Sequence, residues 1–199
     1  MALTRERILQ TAVRLADRGG PDSVTLRKIA GELGVHVTSL YNHVPTRDAV
    51  TDGMVELLLD EAKLPTGPVA WDDWVRQYID GITGIAATHP GAFHALQMRP
   101  VQGARASASF EVAMAAFTET GFSTADAFAA IKAASYLALV IGMERSAVAR
   151  GELLETHLEE LPEESFPLVR SIAADVADYE YVWTFSVETL IAGLRSRLT

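Results

Sequence analysis

The sequence predicts an all-α protein, with a small three-helix head at its N-terminus and a larger helical body behind it. Three observations carry this. Apolar residues recur with the 3.6-residue period of amphipathic helices and are separated by glycine- and proline-rich breaks. No segment shows the alternating pattern of a strand. The stretch Thr25–Arg47, TLRKIAGELGVHVTSLYNHVPTR, reads as two short helices around a glycine turn followed by the cap of a further helix.

The first helix runs from about Arg5 to Arg18. Ile8, Leu9, Ala12, Val13, Leu15 and Ala16 form its apolar face, Thr4 is its N-cap, and Leu3 and Ile8 are placed as a hydrophobic staple. Gly19-Gly20-Pro21 stops it. Thr25 opens the second helix, on which Leu26, Ile29, Ala30 and Leu33 fall at helical spacing. Gly34 supplies the left-handed end, and Val35 starts a third helix anchored by Leu40. In such a helix-turn-helix, the second helix of the motif enters a DNA major groove. Thr46 caps a fourth helix to about Glu61, and Leu64-Pro65-Thr66-Gly67-Pro68 breaks the chain.

The next helix carries Trp71, Trp74, Val75, Tyr78, Ile79, Ile82, Ile85 and Ala86 on one stripe and ends at His89-Pro90-Gly91. A short helix is expected over Ala92–Gln97, and another over Ala104–Thr120, stopped by Gly121. Ser123 or Thr124 begins a long helix to about Arg150. Both of its faces are apolar, so burial on several sides is expected. Residues 151–167 are acidic and interrupted by two prolines, with one helical turn expected around Leu153–Leu158. A final helix is expected over about Val169–Arg197.

Composition narrows the class. The chain has 199 residues, 49% of them hydrophobic and 22% charged, enough for a substantial core. No apolar run of about 18 residues is evident, and the N-terminus lacks a signal-peptide apolar region, so no membrane partner is expected. There is no cysteine, which excludes disulfides and thiolate metal sites and fits a cytoplasmic location. The net charge of −9 is unevenly spread. Residues 1–47 hold seven Arg/Lys against four Asp/Glu, whereas the remainder holds ten against twenty-two. A basic head on an acidic body faces phosphates with one end only.

Thr25-Leu26-Arg27-Lys28-Ile29-Ala30, Leu33-Gly34-Val35, Leu40-Tyr41-Asn42-His43-Val44 and Arg47 resemble the helix-turn-helix of the tetracycline-repressor (TetR) family of bacterial regulators. The likeness is dense over residues 5–55. Arg99-Pro100, Gly121-Phe122-Ser123 and Phe185…Leu190-Ile191-Ala192-Gly193-Leu194 extend it, more weakly, to the C-terminal domain of the tetracycline repressors. The resemblance implies a DNA-binding domain over 1–47, a ligand-binding and dimerisation domain over 48–199, and helix 46–61 as connector. It implies a transcriptional regulator released from a palindromic double-stranded DNA operator by a small organic ligand. The alternative is a helical, dimeric small-molecule-binding protein or enzyme without DNA binding.

The chemistry of the head fits. Arg27 reaches a guanine edge or a phosphate, and the Thr25 hydroxyl can bond a phosphate at a helix start. Val37 and Thr38 suit a thymine methyl, Ser39 a base or phosphate, and Asn42 an adenine edge. Tyr41 and His43 resemble phosphate-binding family residues, and Arg47 is a phosphate clamp at the start of the fourth helix. For the body, the family implies a cavity; His94, Gln97, Met98, Met114, Phe117, Tyr136 and Met143 are the candidates to line it. It also implies a homodimer through a four-helix interface, with Ala138, Trp183, Leu190 and Leu194 as candidate contacts.

No enzyme constellation is present: there is no H-E-x-x-H, G-x-S-x-G or phosphate-cradling glycine loop. Tetracycline repressors hold the drug as a magnesium chelate, through a histidine upstream of Arg-Pro and a glutamate on the long helix. Alignment on Arg99-Pro100 puts Ala95 at the histidine position, beside His94, and Met143 at the glutamate position, beside Glu144. Each neighbour is turned by about 100° on its helix. No metal or other cofactor is therefore expected, and the ligand is expected to be largely hydrophobic.

Overall fold

The computed structural model describes residues 2–98, 103–152, 160–171 and 179–198, and every element among them is helical or a turn. The helices are α1 (Arg5–Gly19), α2 (Leu26–Leu33), α3 (Val37–Leu40), α4 (Arg47–Glu61) and α5 (Trp71–Thr88). They are followed by α6 (His94–Met98), α7 (Ala104–Thr120), α8 (Thr124–Arg150), α9 (Pro167–Ser171) and α10 (Tyr179–Arg195). The turn expected around Leu153–Leu158 lies outside the described residues. So does the middle of the expected last helix; its described parts are α9, which starts at Pro167 rather than Val169, and α10.

Side-chain caps set most of the boundaries in the head. Thr4 accepts from the Arg7 N–H, Thr25 from Lys28 and Thr46 from Ala49, each satisfying a donor that the helix itself leaves open. Gly34 ends α2 at φ 65°, a left-handed conformation that side chains with a Cβ resist. The Val35 N–H then bonds back to the Ala30 carbonyl, so Val35 closes α2 rather than opening α3. The third helix accordingly starts two residues later than expected, at Val37, with the His36 ring as its cap. Ile8, Ala12, Ile29, Leu40 and Val44 are almost wholly buried and form the centre of the head.

The body is built around α5 and α8, which pack along most of their lengths. The buried stripe of α8 is Ala127, Ala130, Ile131, Ala134, Ala138 and Ile141, whose small members let α5 approach closely. Trp74 on α5 donates its indole N–H to the Ser109 carbonyl at 3.0 Å, joining α5 to α7. Trp71, Phe117 and Phe122 form an aromatic cluster at 5.1–5.7 Å between ring centroids.

One expectation changes here and another is narrowed. α8 is long and apolar enough to cross a membrane by length and composition, so the sequence does contain such a run. Its packing on α5 makes it the central helix of the body. Nor is α8 covered all round within the chain: it packs on α5, α7 and α10, and one side stays open. Phe128, Tyr136, Val140 and Met143 are about half exposed or more, along one stripe facing away from α5.

Candidate DNA-binding face and ligand-responsive body

The helix-turn-helix presents one polar face. Leu40 is completely buried, which fixes the rotation of α3. Thr38, Tyr41 and Asn42 are exposed on the opposite side, while Val37, Ser39 and His43 are half-buried. Val37 also packs against the head core, so part of its side chain is already occupied. His36, whose role the sequence left open, holds the start of α3: its Nδ1 lies 2.8 Å from Thr38 Oγ1. Thr25 uses its oxygen as a cap, which leaves its O–H free to donate to an anion.

Most arginines of the chain are ion-paired: Arg5 with Glu56, Arg18 with Glu32, Arg76 with Glu188, Arg195 with Asp72 and Arg197 with Asp126. Arg27, Lys28 and Arg47 are exposed, and none has a carboxylate within salt-bridge distance among the described residues. Three exposed cations close in sequence to a short-side-chain helix suit an electrostatic contact with phosphates.

The body residues separate into different environments. Phe117 is wholly buried in the aromatic cluster, and Met114 packs partly against the core. His94 is half-buried and lines a cleft of about 700 Å³ between α1, α4 and α6, together with Arg47, Met54 and Ala95. Tyr136 and Met143 point outward, Tyr136 beneath the Lys132 ammonium at 4.8 Å. The side chains of Gln97 and Met98 lie outside the described residues. Among the residues expected at a dimer interface, Ala138 and Trp183 are buried inside the chain, and Leu190 and Leu194 are half-buried on α10. Trp183 donates its N–H to Glu144 Oε2 at 2.6 Å and stacks under the Arg145 guanidinium at 4.7 Å. Arg145 and Trp183 border a cavity of about 150 Å³ between α5, α8 and α10.

Sequence reasoning missed the joint between head and body. Asp17 near the end of α1 accepts from the Gly91 and Ala92 N–H groups at 3.2 and 2.9 Å. His89 Nδ1 lies 2.7 Å from Asp17 Oδ2, and its Nε2 lies 3.0 Å from Glu61 Oε2. The partners are 28 to 75 positions apart in the chain, and no local pattern marks them.

A helix-turn-helix head with free cations, set on a larger helical body, defines a DNA-binding transcriptional regulator. Comparison with known proteins agrees. Residues 8–52 match the family described as bacterial regulatory proteins, tetR family. An HTH-type transcriptional regulator of Saccharopolyspora erythraea is 32% identical over 96% of this chain and 84% of its own. The class D tetracycline repressor of Escherichia coli is 29% identical over 99% of this chain and 91% of its own. Among solved structures, the TetR family protein ActR of Streptomyces coelicolor, in complex with actinorhodin, superposes with a TM-score of 0.85 at 25% identity, covering 100% of this chain and 99% of that one. The chain belongs to the tetR family of bacterial regulatory proteins, and its function is ligand-responsive, DNA-binding regulation.

Proposed function

We propose that the protein is a homodimeric, cytoplasmic repressor that leaves a palindromic operator when a largely hydrophobic organic ligand binds its body. It has no enzymatic activity. The division of labour is a DNA-binding head over 1–47, a regulatory body over 48–199, and α4 between them. The observation that carries the reading is the exposed polar face of the helix-turn-helix, flanked in sequence by exposed Arg27, Lys28 and Arg47, which have no carboxylate within salt-bridge distance among the described residues. Thr25, Thr38, Ser39, Tyr41, Asn42 and His43 complete that face.

Dimerisation is supported by the outer side of the body. Phe128, Tyr136, Val140 and Met143 on α8 and Tyr181, Val182 and Phe185 on α10 leave a large apolar surface uncovered. A surface of this kind marks an interaction site. Two copies of these helices would bury it as a four-helix interface and set the two heads at the spacing of successive major grooves. Tyr136 and Met143, expected at the ligand, thus belong with the partner surface. Ala138 and Trp183, expected at the partner, support the body from within.

The ligand reading follows from the donor set. Met143 faces outward, and the Glu144 carboxylate is engaged by Trp183. Ala95 has no ligating atom, and His94 faces the cleft against α1 and α4. These residues do not fit the oxygen-rich, near-octahedral shell that Mg²⁺ requires. An organic molecule bound without metal, of the size that ActR accommodates as actinorhodin, is the better match. The test is a gel shift on the duplex upstream of the protein's own gene. Actinorhodin or a related aromatic compound is expected to release the duplex without Mg²⁺. Release by tetracycline only when Mg²⁺ is present would contradict the metal-free reading.

A further inference from the structure

Four helix C-termini meet at the joint between head and body. Asp17 lies in the last turn of α1, Glu61 is the last residue of α4, His89 caps α5 and Arg150 is the last residue of α8. Each terminus carries the negative end of a helix dipole, which favours a cation nearby and disfavours a carboxylate. Two cations, His89 and Arg150, occupy the place where they converge. Asp17 sits at an end of α1 that opposes its charge, so its retention there depends on partners outside its own helix.

The contacts are short and many. Asp17 holds the Gly91 and Ala92 N–H groups and the His89 ring at the same time. Arg150 donates to the Pro90 carbonyl at 2.6 Å and is paired with Glu152 at 2.7 Å. The backbones themselves touch. A Cβ on Gly91 would lie 2.1 Å from the Ala16 carbonyl oxygen, so only glycine fits between the turn and α1. The α5–α6 turn is therefore in direct contact with α1 and, through His89 and Glu61, with α4.

We propose that His89 is the positioning residue of this joint, and that its doubly protonated ring locks the head to the body by bridging Asp17 on α1 and Glu61 on α4. The inference rests on the regulatory reading above. The chemistry is a matter of donors. An imidazolium donates from both ring nitrogens, whereas neutral imidazole donates from one and offers a lone pair at the other. On deprotonation the shorter bond to Asp17 is kept, and the Nε2 lone pair then faces the Glu61 carboxylate. Glu61 and the end of α4 are released.

The charged groups facing His89 are Asp17 from α1 and Glu61 from α4, with Arg150 from α8 one residue further on. Burial pushes the ring towards deprotonation. The hydrogen bonds and charges of Asp17, then Glu61, outweigh it and hold His89 above its ordinary value of 6.5. A value raised on folding means that the lock is complete below pH 6.5 and is lost as pH rises through the folded value.

The test uses the full chain and the variants His89→Gln and Glu61→Gln. By ¹⁵N NMR, His89 is expected to carry protons on both nitrogens above its ordinary range, and Glu61→Gln to lower the midpoint. Between about pH 6 and pH 8.5, affinity for the upstream duplex is expected to change about fivefold or more in the wild type beyond the change in His89→Gln. That subtraction removes any pH effect that arises elsewhere in the protein or at the DNA. A His89 titrating at or below its ordinary value would overturn the proposal, and so would parallel pH profiles for the wild type and His89→Gln. If no duplex binds, the regulatory reading fails. The NMR midpoint and the pH profile of thermal stability then decide the lock by themselves.

Discussion

Arg27 and Arg47 are both exposed and have no carboxylate partner among the described residues, and the proposed DNA face gives them different roles. Arg27 is the second residue of α2, inside the motif, and is proposed to read a base edge, whereas Arg47 begins α4 outside it. Arg27→Ala is therefore expected to cost ~1–3 kcal/mol on the cognate duplex and much less on unrelated DNA. Arg47→Ala should weaken all sequences alike and reduce the slope of log affinity against log salt by about 1. Fluorescence anisotropy on both duplexes at several salt concentrations checks the pair; identical losses on cognate and unrelated DNA for Arg27→Ala would make it a phosphate contact instead. The helix-turn-helix that carries them was legible in the sequence because the motif is local. Thr25, Gly34, Leu40 and Thr46 act within a few positions of themselves, so spacing alone exposes their roles. Tyr136 and Met143 were not legible. On a helix apolar on both faces, periodicity cannot say which face meets its own chain.

At the scale of elements, α8 shows why. Its inner stripe is rich in alanine and its outer stripe in larger residues, and a contact with α5 favours the small ones. In the proposed dimer the outer stripe acts together with the exposed residues of α10. Phe185 is 59% exposed within the protomer, so its replacement disturbs little of the chain's own core. Phe185→Glu would place an unpaired charge in the proposed interface. Dimer and DNA binding should fall together while helical content stays constant, as read by light scattering and circular dichroism. A variant that remains dimeric would locate the interface elsewhere. Element boundaries were legible wherever a cap or a glycine marked them, as for α1, α4, α7 and α8. They were missed by two residues at α3, where Val35 is taken up by the end of α2. The convergence of α1, α4, α5 and α8 on His89 had no signal at all, because it is made by tertiary contacts across the chain.

The whole molecule divides its charge as its function requires. The acidic body is repelled by nucleic acid and the basic head is attracted, so association is oriented before contact. One head covers too little DNA for tight specific binding, and the proposed dimer would bring two together through the exposed side of α8 and α10. The central claim is that a dimer binds operator DNA through the α3 face. It is tested most directly by sedimentation of the protein with the duplex upstream of its own gene over a range of salt. Two chains per palindromic duplex are expected, with affinity falling steeply as salt rises because phosphate contacts release counterions. A single chain per duplex, binding indifferent to salt, or no binding to any such fragment would contradict the account.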